Sequence, residues 1–467
     1  MSLKSEQAEK RTIISLKKRA LNASIWVLGG HFVSQAIRLA SNLIMTRLLA
    51  PEMFGLMAMA NLVMFGLHLF SDLGLNQNII QSHREDKLFL DTIWTVQVAR
   101  GFLVYLMACL LALGIYFINY MHWWPSGSVY SDPILPWIIA FISLESPIDG
   151  FRSVRISLSN RNLILRDKVL INLGSQVSGI IFMMIWVQID RSVWALAAGS
   201  VMGTIVNTIL SYTLIKGESN WFAWDKEAFA EIFHFGKWVF LSSILGFVSM
   251  SGDRIVLGGL IDTKQLGLYT IAYFMWSAVQ EIVMKVLNGV ALPVLSEVIR
   301  NKDFANVKRS YYRIRLPVDI TSLFSMGFLM ATAGLIIQIL YDGRYMQAGF
   351  ILQILAIGFF SIRYEVLNQF FVAMGKPRLL TPLIIINIVV IYTLLPIAYR
   401  FDGINGALWV IGGSKLASLP LIFYYKKQFN MLDIKKELMV LPVLPLGYLV
   451  GTGVHHLIEY VMRLHLG

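Results

Sequence analysis

Twelve charged residues interrupt otherwise apolar stretches of this chain, and their types limit the chemistry open to them. Six are basic and six are acidic: Arg38, Arg100, Arg254, Lys285, Arg363 and Lys415, then Asp72, Glu145, Asp149, Asp253, Glu281 and Glu365. Guanidinium and ammonium groups bind anions, whereas a carboxylate takes up a proton or a cation. In a bilayer each charge costs at least about 2.5–3.5 kcal/mol, so each should face a partner or a water-filled cavity.

Some of these charges recur at helical spacing. Polar residues follow one another at steps of three and four from Ser34 through Arg38 to Asn42, and at steps of four at Ser277, Glu281 and Lys285. Such spacing places the side chains on one helix face. We expect both faces to line a bundle interior. A plainer alternative stays open for the second, because a Glu four residues before a Lys forms a favourable pair in which the two charges neutralise each other.

Two pairs of neighbouring charges should have different surroundings. Asp253 and Arg254 lie about 100° apart around a helix, so they cannot both face one cavity, and one of them should pair with a neighbouring helix. The long side chain of Arg254 is close to a helix end and can also reach the membrane interface. Arg363 and Glu365 point to nearly opposite sides of a helix. They too cannot both face one cavity, and one of them should pair with a neighbouring helix.

The composition indicates which elements hold these residues. Of the 467 residues, 56% are hydrophobic and 15% are charged, against roughly 45–50% and 25% in soluble domains. Mean hydropathy is +0.63. The single cysteine, Cys109, excludes an internal disulfide and any metal site that needs two thiols. We therefore predict an all-α polytopic membrane protein rather than a soluble enzyme.

Apolar stretches of about 20 residues are long enough to cross a bilayer as helices. We predict thirteen of them, near residues 21–45, 53–80, 92–118, 134–158, 165–188, 192–215, 234–258, 266–292, 316–341, 348–374, 379–399, 403–425 and 439–461. The last is the least regular, since Pro442 and Pro445 also suit an interfacial segment. Pro51, Pro147, Pro293 and Pro382 should mark helix ends or kinks.

The distribution of Lys and Arg predicts the orientation. The N-terminus and the even-numbered connections hold 28 of them, and the opposite side holds six. Because cytoplasmic loops are enriched in Lys and Arg, the N-terminus should be cytoplasmic. The net charge of +12 then needs no nucleic-acid partner.

A constant offset of 212 residues predicts an internal duplication. Leu48, Gly55, Leu56, Ala60, Ala195, Leu196 and Tyr212 fall on Leu260, Gly267, Leu268, Ala272, Ala407, Leu408 and Tyr424. The offset equals six helices, so the halves would have the same orientation. The predicted organisation is a basic N-terminus (1–20), a six-helix lobe (21–216), a cytoplasmic linker (217–233), a second six-helix lobe (234–425) and a C-terminal segment (426–467) with the thirteenth helix.

Four motifs resemble a known family. They are RLLAPEMFGL at 47–56, SDLGL at 71–75 with IIQ at 79–81, GDRIVLG at 252–258, and LGLYTIA at 266–272. They are similar to those of the polysaccharide transporter family, the Wzx-type oligosaccharide flippases of the multidrug/oligosaccharidyl-lipid/polysaccharide exporter superfamily. The resemblance covers about residues 20–430. It implies two six-helix bundles around a central cavity that opens alternately to each side and moves an undecaprenyl-diphosphate-linked oligosaccharide across the inner membrane.

The resemblance also implies roles for the buried charges. Arg38 and Lys285 are the first candidates for binding the diphosphate. Arg363 and Lys415 are the next candidates, and Arg254 is the last. Asp72, Glu145, Glu281 and Glu365 are candidates for coupling transport to H⁺ or Na⁺, since a carboxylate can change its occupancy between states. No resident cofactor or metal is expected. Partners would be the lipid-linked oligosaccharide, membrane lipid, and a polysaccharide polymerase with chain-length or export proteins.

Other functions fit parts of the same pattern. A drug exporter or a peptidoglycan-precursor flippase of the same superfamily fits the same architecture, and the balance of six buried cations and six buried anions discriminates weakly. A membrane glycosyltransferase or polysaccharide polymerase fits less well. Such enzymes carry catalytic groups on sizeable external loops, whereas the external loops predicted here are short and hold at most one Lys or Arg each.

Overall fold

A computed structural model of the protein describes residues 3–75, 79, 84, 86–161, 164–215, 217–301 and 304–466. Side chains are described for the same residues except 3–21, 23, 231–233, 235–239, 241–242, 286, 304–305 and 464–466. The basic side chains of the predicted N-terminal segment and Gln81 lie outside these parts. All regular structure in the described residues is helical, in agreement with the predicted fold class.

The first compact unit comprises residues 1–49, 56–126 and 130–247. Its helices are α1 (Leu3–Leu48), most of α2 (Pro51–Phe70), α3 (Lys87–Tyr120), α4 (Leu135–Ile142), α5 (Glu145–Gly150), α6 (Arg155–Arg161), α7 (Leu165–Ile189), α8 (Val193–Thr213) and the first part of α9 (Lys226–Leu260). Two of them begin at side-chain caps: Asp86 accepts a hydrogen bond from the Phe89 N–H and Ser192 accepts one from the Trp194 N–H. These caps satisfy backbone donors that a first helical turn leaves free.

The second compact unit comprises residues 50–55, 127–129 and 248–467. Besides parts of α2 and α9 it contains α10 (Thr263–Arg300), α11 (Phe304–Leu340), α12 (Gln347–Leu355), α13 (Phe359–Ile362), α14 (Glu365–Ala373), α15 (Leu380–Val389), α16 (Leu395–Gly413), α17 (Leu419–Gln428), α18 (Ile434–Met439) and α19 (Val443–Leu466). Short turns at Ala356–Gly358, Val390–Leu394 and Ser414–Ser418 connect some of them. Its apolar core is formed by α10, α11, α13, α14 and α17.

Nine stretches of the described residues are long and apolar enough to cross a membrane. One of them, 377–428, has 52 residues and bends at Asp402 and Gly403, whose backbone angles are not helical. It therefore contains two of the predicted spans, 379–399 and 403–425. The predicted spans 21–45 and 234–258 lie within α1 and α9, and 134–158 corresponds to the run from α4 to α6. The protein is a multi-pass membrane protein.

Two predicted spans have different boundaries in the structure. The span predicted at 53–80 ends as a helix at Phe70. Asp72 accepts a hydrogen bond from the Gly74 N–H at 2.9 Å, and Gly74 has a φ of +65°, so the chain turns there in a conformation that favours glycine. The span predicted at 134–158 is divided into three short helices.

The helix boundaries recur at the offset of 212 residues. Helices α4 and α12 begin at Leu135 and Gln347, and α6 and α14 end at Arg161 and Ala373. The bend at Asp402 is the counterpart of Asp190, where α7 has just ended. The broken helices therefore occupy equivalent places in the two halves of the sequence, which supports the duplication.

The equivalent glycines Gly55 and Gly267 pack against each other's helix within the second unit. A Cβ atom on Gly55 would lie 2.0 Å from the Thr263 carbonyl oxygen, and one on Gly267 would lie 1.8 Å from the Pro51 carbonyl oxygen. Thr263 itself follows Pro51 by 212 residues. The contacts are thus reciprocal, as expected where two copies of a duplicated segment meet, and only glycine permits so close an approach of the backbones.

Helix α19 is the predicted additional C-terminal hydrophobic helix. It packs along α11 through small residues: a Cβ atom on Gly447 would lie 2.4 Å from the Phe324 carbonyl oxygen, and one on Gly327 would lie 2.1 Å from the Leu444 carbonyl oxygen. Gly451, four residues after Gly447, continues the contact at Phe328. Small residues at a spacing of four let membrane helices approach closely, so α19 packs on α11 through this face, while most of its other described side chains are exposed or half-buried.

Candidate functional site

The second unit contains a polar cavity of about 250 Å³. Its walls come from the end of α9, from α10, from the turn at Ala356–Gly358, and from α15 to the turn at Ser414–Ser418. Its lining includes the polar side chains of Asp253, Gln280, Asn387 and Lys415. We call this space the polar cavity. It combines a carboxylate, two amides and an ammonium group in a region where most side chains are apolar.

Two polar atoms of the cavity wall lack hydrogen-bond partners among the described residues. They are Nε1 of Trp276 and Oδ1 of Asn387, and both are buried. A buried polar group left unpaired costs about 1–3 kcal/mol. A donor and an acceptor that line the same cavity indicate that a polar occupant, either water or a ligand, completes their hydrogen bonding.

Asp253 and Arg254 both contact helix α10. Tyr269 donates a hydrogen bond to Oδ2 of Asp253, and the Arg254 guanidinium lies 4.2 Å from the centre of the Tyr273 ring. The two tyrosines are one turn apart and form a ring contact with each other. Asp253 lines the polar cavity and Arg254 does not, as their angular separation predicted. An arginine over a tyrosine face gains cation–π stabilisation and remains charged.

Lys415 and Glu365 form a pair beside the cavity. Their Nζ and Oε1 atoms are 3.8 Å apart, and the Asn368 side chain donates a hydrogen bond of 2.6 Å to the other carboxylate oxygen of Glu365. The Lys415 side chain is 45% exposed. This ammonium group is therefore both paired and accessible.

Arg363 belongs to a separate buried cluster. Its Nε lies 3.0 Å from Oδ1 of Asp319, and Arg315 Nε lies 3.1 Å from the same oxygen. Arg315 also donates to both carboxylate oxygens of Glu437, with a distance of 2.7 Å to Oε2, and Lys426 pairs with Oε1 of Glu437. We call these five residues the ion network. All are buried, with Arg315 and Lys426 at 0% exposure.

The tyrosines around the ion network complete it. Tyr312 donates to Oε1 of Glu437 at 3.2 Å, and the Arg315 guanidinium lies 4.8 Å from the Tyr364 ring centre. Three cations share two carboxylates, so aromatic faces compensate part of the excess positive charge. The cluster connects α11, the start of α14, α17 and α18.

The sequence analysis missed most of the ion network. Arg315 and Lys426 were counted as charges of cytoplasmic connections, and Glu437 was placed outside the thirteenth helix. The signal that was available is the spacing of Arg315 and Asp319, which lie four residues apart on a helix whose following residues are largely apolar. The unpaired atoms of Trp276 and Asn387 gave no signal in the sequence.

Glu281 and Lys285 lie on α10 one turn apart. The Glu281 side chain is half-buried and that of Lys285 is exposed. Gln280, the residue before Glu281, lines the polar cavity, whereas neither Glu281 nor Lys285 is among its lining residues.

The first unit contains a smaller polar cluster at the end of α2. Arg100 donates to the His68 carbonyl at 2.9 Å and to the Ser71 hydroxyl at 3.1 Å, and the Ser146 hydroxyl lies 3.3 Å from His68 Nε2. Asp72 follows in the turn described above. Glu145, next to Ser146, has one carboxylate oxygen that is buried without a partner among the described residues.

Arg38 is exposed on α1. One turn before it, the Ser34 hydroxyl donates to the Gln176 side chain of α7 at 2.8 Å, and Gln176 donates back to the Ser34 carbonyl at 3.0 Å. Part of the predicted polar face therefore packs on α7. The structure thus places Lys415 in the lining of the polar cavity, with Glu365 beside it, and packs Arg254 on Tyr273. It places Arg363 in the ion network and leaves Arg38 and Lys285 exposed.

Two characterised relatives are similar to the chain over much of its length. The succinoglycan biosynthesis transport protein ExoT of Rhizobium meliloti (strain 1021) is 21% identical over 317 residues, which cover 67% of this chain and 61% of that protein. The lipopolysaccharide biosynthesis protein WzxC of Escherichia coli (strain K12) is 19% identical over 350 residues, covering 74% of this chain and 68% of that protein. The chain matches less than two thirds of the Rhizobium protein.

The fold is similar to that of an inward-facing multidrug resistance MATE family transporter of the MOP superfamily. The TM-score is 0.63 at 14% sequence identity, and the match covers 87% of this chain and 98% of the transporter. At this identity the likeness concerns the fold alone. The predicted MOP-like membrane fold is confirmed.

A family model described as "Polysaccharide biosynthesis protein" matches residues 44–349. This range contains the motifs at 47–56, 71–75, 252–258 and 266–272. The match covers more than half of the chain, so the resemblance drawn from those motifs is confirmed, and the chain belongs to the polysaccharide biosynthesis protein family.

Proposed function

We propose that this protein moves an undecaprenyl-diphosphate-linked oligosaccharide across the inner membrane by alternating access, for the assembly of an exopolysaccharide, O-antigen or capsule. The observation that carries the proposal is the family match over residues 44–349. Relatives named for the transport of succinoglycan and for lipopolysaccharide biosynthesis support it. The protein would act as a transporter without catalysing a covalent reaction.

The proposed orientation has a cytoplasmic N-terminus. It rests on the excess of Lys and Arg in the even-numbered connections. Reporter fusions after Lys87, Lys168 and Arg309 are expected to report the cytoplasm. An external result at any of the three positions would contradict this orientation.

Exposed or accessible cations would bind the diphosphate. Arg38 and Lys285 are exposed, and Lys415 is accessible beside the polar cavity. Arg254 keeps its charge over Tyr273. Arg363 is the weakest of the proposed ligands, because Asp319 and Glu437 already surround its guanidinium.

A carboxylate would couple transport to H⁺ or Na⁺. Glu145 has a buried oxygen without a partner among the described residues, and Glu365 exchanges contacts with Lys415 and Asn368. Asp72 and Glu281 remain candidates because both lie within predicted membrane spans. No resident cofactor is proposed. A polysaccharide polymerase and chain-length or export proteins would act after the transported unit has crossed.

Export in a strain that depends on this gene tests the proposal. Loss of the gene should stop surface polysaccharide and cause lipid-linked oligosaccharide to accumulate on the cytoplasmic side, and the wild-type gene should restore export. Arg38→Ala and Lys285→Ala should abolish export while the protein still reaches the membrane. Arg191→Ala, a charge change in a predicted external loop, is the matched control. Normal export by the deletion strain, or rescue of a drug-export or peptidoglycan-precursor defect instead, would contradict the proposal.

A further inference from the structure

An apolar groove lies between α10 and α11 of the second unit. Its volume is about 620 Å³, within the ~300–1,000 Å³ range of typical small-molecule sites. Six of its aliphatic residues are Ile282, Leu287, Val290, Val294, Ile314 and Val318. On α10 they recur at steps of three to five, so they form one stripe that faces a matching stripe on α11.

The groove has a buried floor and open walls. Leu287 and Val318 are 2% and 6% exposed, whereas Ile282 and Val290 are 47% and 49% exposed. A floor that is already packed and walls that remain open leave room for one chain without rearrangement of the core. From residue 282 to residue 294 the groove is about 18 Å long at 1.5 Å per helical residue, which is about one leaflet of a ~30 Å hydrocarbon core.

One end of the groove is polar and cationic. Arg313 and Ser310 line it there, on the side of the turn that joins α10 to α11. Among the described residues no carboxylate is ion-paired with Arg313, whose side chain is exposed. A guanidinium presents several donors to phosphate oxygens. The opposite end, near Ile282 and Thr321, offers no charged lining residue.

We propose that this groove binds the isoprenoid chain of the polyprenyl-diphosphate carrier, with the diphosphate at Arg313 before it passes to the cations named above. This inference rests on the proposed function and names the place where the lipid part of its substrate would lie. The complementarity is twofold: a linear apolar chain matches the aliphatic stripes, and an anionic head matches the single cationic end. Pro317, which lines the groove, supports the opening because a proline inside a helix removes a backbone hydrogen bond and displaces the local turn.

Photolabelling of the purified full-length protein in phosphatidylcholine nanodiscs tests the groove. The probe is a benzophenone analogue of geranylgeranyl diphosphate. Labelling is expected within residues 263–340, and undecaprenyl diphosphate should compete at least tenfold better than phosphatidylglycerol. Equal competition by phosphatidylglycerol would overturn the proposal, because the groove would then be a site for ordinary acyl chains.

Two matched pairs of variants test where the isoprenoid chain and the diphosphate bind. Val290→Trp fills the groove and should reduce labelling at least tenfold, whereas Leu316→Trp, at an exposed position of α11 outside the groove, should label like the wild type. Arg313→Ala should reduce labelling by the diphosphate probe but not by the matching alcohol probe, and Arg309→Ala, one turn away and outside the lining, should change neither.

The outcomes separate this inference from the proposed function. Unchanged labelling of Val290→Trp overturns the groove even if the strain exports polysaccharide normally. Equal effects of Arg309→Ala and Arg313→Ala overturn the assignment of the head. Specific labelling in a protein whose gene is dispensable for polysaccharide export would contradict the proposed function and leave the isoprenoid site in place.

Discussion

Arg363 and Glu365 are two residues apart at the break between α13 and α14, yet they belong to opposite kinds of polar surroundings. Arg363 lies in the ion network, where it contacts Asp319 and Glu437. Glu365 lies beside the polar cavity, where Lys415 is accessible and two buried atoms lack partners among the described residues. The difference shows how to separate structural charges from candidate functional ones. Protein side chains supply the ion-pair partners of a structural charge, whereas a candidate functional charge lies beside polar groups whose hydrogen bonding an occupant would complete.

The largest effect is expected at Glu437. Glu437→Gln leaves Arg315, Arg363 and Lys426 buried with Asp319 as the remaining carboxylate of the ion network. Breaking a buried ion pair costs about 3–5 kcal/mol, so the purified protein should unfold at a clearly lower temperature and accumulate less in the membrane. Thermal unfolding followed by intrinsic fluorescence measures this. Lys435→Ala, at an exposed position of the same helix, is the control and should behave like the wild type.

A second variant tests whether uncompensated positive charge causes the loss of stability in the ion network. Lys426→Met in the Glu437→Gln background removes one of the uncompensated cations and should recover part of the lost stability. If Glu437→Gln unfolds at the wild-type temperature, the network is not a structural cluster and its contrast with the polar cavity fails.

A large loss of transport without a loss of stability is expected at Lys415. Lys415→Ala removes the accessible cation of the polar cavity and should lower export at least tenfold, equivalent to about 1.4 kcal/mol, while the unfolding temperature stays near that of the wild type because the group is half-exposed. Export per unit of membrane protein is the measurement, with Lys427→Ala as the control. A drop in stability that parallels the drop in export would place Lys415 with the structural charges.

Trp276 offers a more sensitive comparison. Trp276→Phe keeps an aromatic ring in the cavity wall but removes the N–H that has no described partner. Because an unpaired buried donor is unfavourable, stability should be equal to or slightly above that of the wild type, and export should fall several-fold if an occupant uses this donor. Unchanged export together with raised stability would mean that the donor serves no occupant.

The smallest effect is expected at a charged cluster outside the membrane helices. Arg84 donates to Asp86 at 3.0 Å and to Asp225 at 2.9 Å, which lowers the pKa of both carboxyls. A lowered folded-state pKa contributes stability above the unfolded-state pKa, and this contribution is lost as the pH falls through the folded-state value. The protection of the backbone amides at the start of α9, expressed relative to the intrinsic exchange rate at each pH, should therefore decrease as the pH falls below about 4.

Arg84→Ala is the matched variant for that measurement. It should lower the protection factors near neutral pH toward those that the wild type shows in acid, and their decrease with falling pH should become smaller. An equal change of protection with pH in both proteins would show that the ion pairs of Arg84 with Asp86 and Asp225 do not stabilise the start of α9.

The membrane helices were predictable because lipid imposes a simple rule on the sequence: about 20 apolar residues per crossing. The span predicted at 53–80 failed at its end because the Asp72–Gly74 turn is a local backbone feature that hydropathy does not record. Arg363 and Glu365 have different surroundings, as expected, but the break between α13 and α14 that contains Arg363 was not predicted. Their partners could not be predicted, because Lys415 and Asp319 are separated from them by tens of residues and meet them only through packing.

The ion network was missed for a related reason. Lys and Arg at the ends of spans are usually loop charges, so Arg315 and Lys426 supported the orientation instead of being recognised as buried. Asn387 and Trp276 are common constituents of apolar helices, and the absence of a bonding partner is visible only in three dimensions.

The position of Glu437 has a consequence for anyone who shortens this gene. The residue follows α17, and its carboxylate is shared by three cations that precede it in the chain, Arg315, Arg363 and Lys426. A version that stops after α17 would keep these three buried cations and leave them with Asp319 as the remaining carboxylate of the ion network.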